Sequence, residues 1–334
     1  ISAVVAKSVS GIFTFYNRGT QLTIQSPLPG ERFVVNEPLN LQALVSSHLP
    51  VNGSLPHWTS TTAGALGSGG NVHLTGLPLG NQDIQASGLS FSPTVSVRVF
   101  TDLWALYQAE PSPAEYARIN AAFNLNYVNG TLPDEMWSAY DPPVFNQSSL
   151  SPSKLVVLAR LDVMRHEAFS QPLPFGDTLT LYDHFRKYVA NVNLRLDCNF
   201  ADGGGGTVEL NRLGSEWWNF QQTDCKNPVP NPPLAPYVDP LYLLVHEGRH
   251  NEPGDPGHTT CNGQTNMDAT LDNGSGHAWA ALYTMWVYKY GLYDPPNMKQ
   301  EAKLVATSLL KTRFCTTPTS TNPTVQAIVT ELLQ

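Results

Sequence analysis

The sequence predicts two domains, an all-β sandwich followed by a mainly helical domain with a little strand. Three observations support this. From Gln21 to Phe100, short alternating runs are separated by Pro, Gly and Asn turns and lack helical periodicity. After Thr101, apolar residues recur at helical spacing behind Ser-Pro, Asp-Pro and Asn-Pro starts. The 334 residues, 41% of them hydrophobic, are enough for two cores. The boundaries read as 1–20 for an N-terminal segment, 21–101 for the sandwich and 102–334 for the helical domain.

In the first domain, "QLTIQS", "LNLQALV", "NVHLTGL", "QDIQASG" and "TVSVRVF" are the strand candidates. The stretches "SPLPGERFVVNEPLNLQALV" and "HWTSTTAGALGSGGNVHLTGLPLGNQDIQASG" resemble the immunoglobulin-like modules attached to secreted enzymes and surface proteins. The resemblance implies a β-sandwich with Trp58 in its core and says nothing about ligands.

In the second domain, "SPAEYARINAAF" begins with Ser112 as cap and Pro113 in the first turn. "SPSKLVVLARLDVMRHEAF" repeats that start, and "DTLTLYDHFRKYVANVNLRL" reads as a third helix. The run Gly203–Gly206 has no Lys-Ser/Thr after it, which excludes a phosphate loop and leaves a flexible one. "TVELNRL" is the one strand nominated here. "DPLYLLVHEGRH" is a helix with Asp239 as cap and Pro240 at its first position. "SGHAWAALYTMWVYKYG", "PPNMKQEAKLVATSLLKTRF" and "NPTVQAIVTELLQ" complete the set.

Composition narrows the setting. Charged residues make up 14%, against about 25% in an average soluble protein. The formal net charge is -8 and no basic run exists, which argues against nucleic acid. No apolar window reaches the roughly 18 residues of a membrane span. The start "ISAVVAKSVSG" reads as a processed or trimmed one. Cys198, Cys225, Cys261 and Cys315 suit two disulfides, expected as Cys198–Cys225 and Cys261–Cys315. Sequons stand at Asn52, Asn129, Asn146 and Asn273. Together these features point to a secreted, glycosylated monomer acting on a protein, peptide or other extracellular substrate.

The chemistry concentrates in "LLVHEGRHNEPGDPGHTTC". His246 and His250 lie four apart on a helix, so both imidazoles project from one face and can meet one cation. Glu247, angled off that face, can reach water instead. This H-E-x-x-H arrangement resembles the zincin metalloenzymes. The resemblance implies Zn2+ (or another divalent metal) on His246 and His250, with Glu247 as general base. Pro253 and Pro256 stand where the metzincin frame asks for Gly and His, so the third ligand falls two residues later, at His258. Asp268, Asp272 and His277 are the rivals for that place. Asp272 is also a candidate for a carboxylate that orients a ligating His. Arg249, Tyr283 and His277 are candidates to stabilise an oxyanion. His166 and His184 are expected to be exposed helix residues.

The sequence therefore points to a zinc-dependent hydrolase, specifically a metallopeptidase in which Glu247 draws a proton from metal-activated water. One alternative is a non-peptidase metalloenzyme working on carbohydrate or lipid, or with a redox metal. Another is a non-catalytic binding protein with a structural metal.

Overall fold

The computed structural model describes residues 5–8, 11–14, 21–46, 56–88, 92–127, 152–195, 201–211 and 238–334. It divides into two compact units, Ile1–Phe100 and Thr101–Gln334.

The first unit opens with a hairpin, β1 (Val5–Ser8) and β2 (Gly11–Thr14). Two sheets follow. One has three strands, β3 (Gln21–Ser26), β5 (Leu39–Ser46) and β8 (Asn71–Leu74), in the order β3-β5-β8. The other has five, β4 (Arg32–Val34), β6 (His57–Ser60), β7 (Gly64–Ser68), β9 (Gly80–Ser87) and β10 (Thr94–Phe100), in the order β4-β10-β9-β6-β7. The chain crosses between sheets after Ser26, so that β4 runs parallel to β10 while β9 and β10 pair antiparallel. This is the layout of an immunoglobulin- or fibronectin-III-like sandwich. Alternation does the folding: in β9 and β10 every second residue, including Ile84, Ala86, Val95, Val97 and Val99, is buried. Trp58 belongs to this core, and its indole N–H donates to the Gly69 carbonyl at 2.8 Å.

The second unit contains the helices α1 (Leu103–Gln108), α2 (Pro113–Phe123), α3 (Pro152–His166), α4 (Leu181–Tyr188), α5 (Val238–Arg249), α6 (Gly276–Tyr290), α7 (Pro296–Thr312) and α8 (Pro323–Leu333). Ser112 and Glu115 form a reciprocal capping box on α2. α6 is buried along most of its length, which is why its sequence is apolar all round.

A four-stranded sheet, more than the sequence led us to expect, accompanies them. Its order is β11 (Asn126–Tyr127), β12 (Asn191–Arg195), β14 (Thr207–Asn211) and β13 (Ala201–Gly204), with β13 antiparallel at the edge. The predicted helix over 177–196 thus stops at Tyr188. Beyond it Asn and β-branched Val are weak helix formers, and Val192 is fully buried in the sheet. The glycine run is not a loose loop either. Gly203 and Gly204 lie in β13, and Gly205 (φ 61°) and Gly206 (φ 79°) make the two-residue turn into β14. α5 begins at Val238, so Asp239 and Pro240 occupy its first turn rather than capping it.

The last sheet element is a hairpin, β15 (Thr259–Cys261) and β16 (Gln264–Met267). Its Cys261 is disulfide-bonded to Cys315. The expected Cys198–Cys225 pair and the sequons at Asn52, Asn129 and Asn146 lie outside the described residues; Asn273 is exposed. Among the described residues no helix is long and apolar enough to cross a membrane.

Candidate metal centre

The site begins on α5. Leu241, Tyr242, Leu244 and Val245 are buried, so the helix is held from several sides. Gly248, between the two motif histidines, answers a packing need: a β-carbon there would lie 2.9 Å from two ring carbons of Phe185. Gly276 does the same for His246, whose imidazole carbon Cδ2 would lie 2.5 Å from an added β-carbon.

After Arg249 the chain turns back. The side chain of Asn251 accepts from the backbone N–H groups of Gly206 (2.7 Å) and Thr207 (3.1 Å). It donates to the carbonyls of Thr207 and Glu247, tying the sheet hairpin to the helix end. Gly254 (φ 83°) and Gly257 (φ 67°) supply the left-handed steps of the reversal. The loop delivers His258, whose Nε2 lies 3.1 Å from Nε2 of His246 and 3.1 Å from Nε2 of His250.

For His250 and His258 the other ring nitrogen explains what Nε2 offers. His250 Nδ1 donates to Asp255 at 2.8 Å, and His258 Nδ1 donates to Asp268 at 2.7 Å. A neutral imidazole that donates from Nδ1 carries a lone pair on Nε2. Two lone pairs facing each other at 3.1 Å repel unless a cation stands between them. Two nitrogens bound to one tetrahedral zinc stand about 3.3–3.4 Å apart, close to the spacing seen. The residues present therefore fit a divalent metal.

The supporting carboxylates are themselves held. Asp268 is fully buried; its second oxygen accepts from the Ala278 N–H at 2.8 Å. Its backbone bonds Arg313 and Cys315. Asp255 accepts from the Ser275 hydroxyl at 2.7 Å. Burial pushes the Asp255 carboxyl up, but hydrogen bonds from His250 and Ser275 outweigh it and hold the group below its ordinary value. Burial, then the repulsion that a charge on His246 would meet from the neighbouring imidazoles of His277, His250 and His258, keeps His246 well below the ordinary histidine value, in the neutral form that ligates. Glu247 is buried beside the cluster, with a carboxylate oxygen 3.9 Å from His246 Nε2.

The remaining sequence candidates fall in several places. His277 packs against the cluster, with its ring centroid 4.4 Å from that of His246 and 4.5 Å from that of His258. Asp268 holds His258. Asp272 does not orient a histidine: it accepts from Ser320 and from the backbone and hydroxyl of Thr321, fastening a remote loop. Arg249 is engaged by Glu252 at 2.9 Å and lies over the Trp279 ring. Tyr283 donates to buried Glu167 at 2.9 Å. His166 and His184 are buried, not exposed. His184 lies between Asp177 and Glu252, 2.8 Å from each, with Phe175 and Trp279 closing over it.

Sequence reasoning missed Asn251, Asp255, Ser275 and Arg313. Asp255 was visible inside the reversal as the only carboxylate between Gly254 and His258. Arg313, whose charge bears on His246 and His277, is brought close only by tertiary structure.

No protein-family profile matches the chain, and no curated protein matches it. Solved structures similar to part of it include the following two. The fibronectin(III)-like modules of Clostridium thermocellum CbhA are 28% identical, over 24% of this chain and 94% of that one, with a TM-score of 0.21. A chimeric titin Z1Z2 functionalized with an exogenous peptide from decorin is 16% identical, over 25% of this chain and 96% of that one, with a TM-score of 0.18.

Proposed function

We propose that the second unit is the catalytic part of a secreted, zinc-dependent peptidase, with His246, His250 and His258 as metal ligands and Glu247 as general base. The observation that carries this reading is the convergence of three Nε2 atoms, two of them backed by carboxylates that fix the tautomer. A bound divalent cation supplies Lewis acidity and makes water a better nucleophile near neutral pH. With the cation held by these histidines, Glu247 would take a proton from the attacking water and return it to the leaving nitrogen. Burial of Glu247 limits competing solvent around the carboxylate.

A peptide substrate is favoured by β13. Among the described residues it pairs only with β14, so its outer edge can accept an extended chain. Its Gly203 lies against the Glu247 backbone, so β13 packs on the helix that carries the base. A second reading, a redox or other non-peptidase metalloenzyme, draws on the donor set itself, because imidazoles also suit copper, iron and nickel.

The test is metal analysis and peptide hydrolysis on wild type and Glu247→Gln. The variant should keep one equivalent of zinc and lose about 10²–10⁴-fold in rate. Wild-type rates in Glu247→Gln would remove the base role. Stoichiometric copper or iron in the native protein would favour the second reading.

A further inference from the structure

Four imidazoles, not three, meet at this centre. His277 is 5% exposed and sits at the start of α6. Its Nε2 lies 3.1 Å from the Asn266 carbonyl, which can only accept, so that nitrogen carries the proton. Nδ1 then carries a lone pair. It is buried and has no hydrogen-bond partner among the described residues. Such an orphan is uncommon in a buried side chain and calls for a ligand.

Its neighbours say which ligand. His246, His258 and His277 each offer a nitrogen, and these lie within 4.8 Å of one another. The β15–β16 hairpin helps assemble all of this. It follows His258 directly, and it carries Asn266, at φ 60°, whose carbonyl holds the His277 ring.

We propose that His277 supplies a fourth nitrogen to the metal centre through Nδ1. The ligand set becomes His246, His250 and His258 through Nε2 and His277 through Nδ1. Asn266 plays for His277 the orienting part that Asp255 and Asp268 play for His250 and His258. Zinc sites can expand to five positions, so four protein nitrogens still leave one for substrate or water. This rests on the three-histidine reading above and adds a ligand to it.

Cobalt(II) tests it without any activity assay. Wild type loaded with Co2+ should show weak ligand-field bands of a five-position site. His277→Phe, which keeps ring volume but has no nitrogen, should give the several-fold stronger bands of a four-position site. It should also bind the ion at least about 10–100-fold more weakly in competition with a chelator. Superimposable spectra of variant and wild type would overturn the fourth ligand while leaving the three-histidine centre standing. Failure of wild type to bind Co2+ would overturn both. A measurement on the wild type covers the case in which the variant does not fold. The ¹⁵N shift of His277 Nδ1 should move on titration with Zn2+, and a fixed shift while His246 and His258 move would refute the proposal.

Discussion

Gly203 and Glu247 meet backbone to backbone: a β-carbon on Gly203 would lie 2.2 Å from the Glu247 carbonyl oxygen. No side-chain rotation relieves such an overlap, so either the edge strand or the helix must move. Gly203→Ala is therefore expected to displace Glu247 relative to the histidines. Misplacement on the order of 1 Å costs about 10²-fold in rate. Peptide hydrolysis should fall by roughly that factor while metal content stays at wild-type level. Unchanged kinetics would show that the strand yields without disturbing the base.

Gly276→Ala acts on His246 instead. The new β-carbon would fall 2.5 Å from Cδ2 and 2.6 Å from Nε2 of His246. The imidazole has to rotate away from the other two nitrogens. Zinc affinity should drop by at least about 10–100-fold, as it does when a ligand's orientation is lost. Overpacking should also cost the metal-free protein about 1–3 kcal/mol. Chelator competition and denaturant unfolding measure the two effects separately.

Asp268 and Asp255 support their histidines alike but are buried to different depths. Asp268 is fully buried and also caps α6 through Ala278. Asp268→Ala is expected to lower zinc affinity about 10–100-fold and to destabilise the metal-free protein by at least about 1–3 kcal/mol, since Ala278 N–H loses its acceptor. Asp255→Ala should lower affinity with a smaller loss of stability. Equal unfolding midpoints for the two variants would contradict this ordering.

Glu167 gives a pH prediction away from the metal. Burial, then the negative charge of Asp294, raises its carboxyl pKa well above the ordinary value, and the Tyr283 hydrogen bond offsets only part of this. A carboxyl raised in the folded state stabilises at low pH, and that contribution is lost as pH rises through the folded value. Glu167→Gln removes the penalty of a buried charge. It should raise Tm by a few degrees at pH 8 and leave it close to wild type at pH 4. A variant less stable at pH 8 would mean that the carboxylate's hydrogen bonds outweigh its burial.

The parts of this structure that were legible in the sequence are those encoded by local periodicity and caps. The sandwich strands announced themselves through alternation, α2 through Ser112 and Pro113, and the shared helix face of His246 and His250 through four-residue spacing. What was hidden depended on contacts between distant segments. Asn191–Arg195 looked helical because it continues an amphipathic run, and only pairing with Thr207–Asn211 makes it a strand. Gly203 looked like flexibility because the reason for a missing side chain, the Glu247 backbone, lies 44 positions on. His184 looked exposed because its partners, Asp177 and Glu252, belong to different segments. Asp272 looked suited to a metal shell by position, yet Ser320 and Thr321 claim it.

The Cys261–Cys315 bond has a consequence for how this molecule would age among proteases. The 54-position span that it closes contains Asp268, Ser275, His277 and Arg313, and also the exposed turn at Asp272 and Asn273. A backbone cut at that turn would not separate the fragment bearing His246, His250 and His258 from the fragment bearing α6. The nicked protein would migrate as one species until reduced and as two afterwards. Damage at this exposed turn thus becomes a change of connectivity and leaves the molecule in one piece.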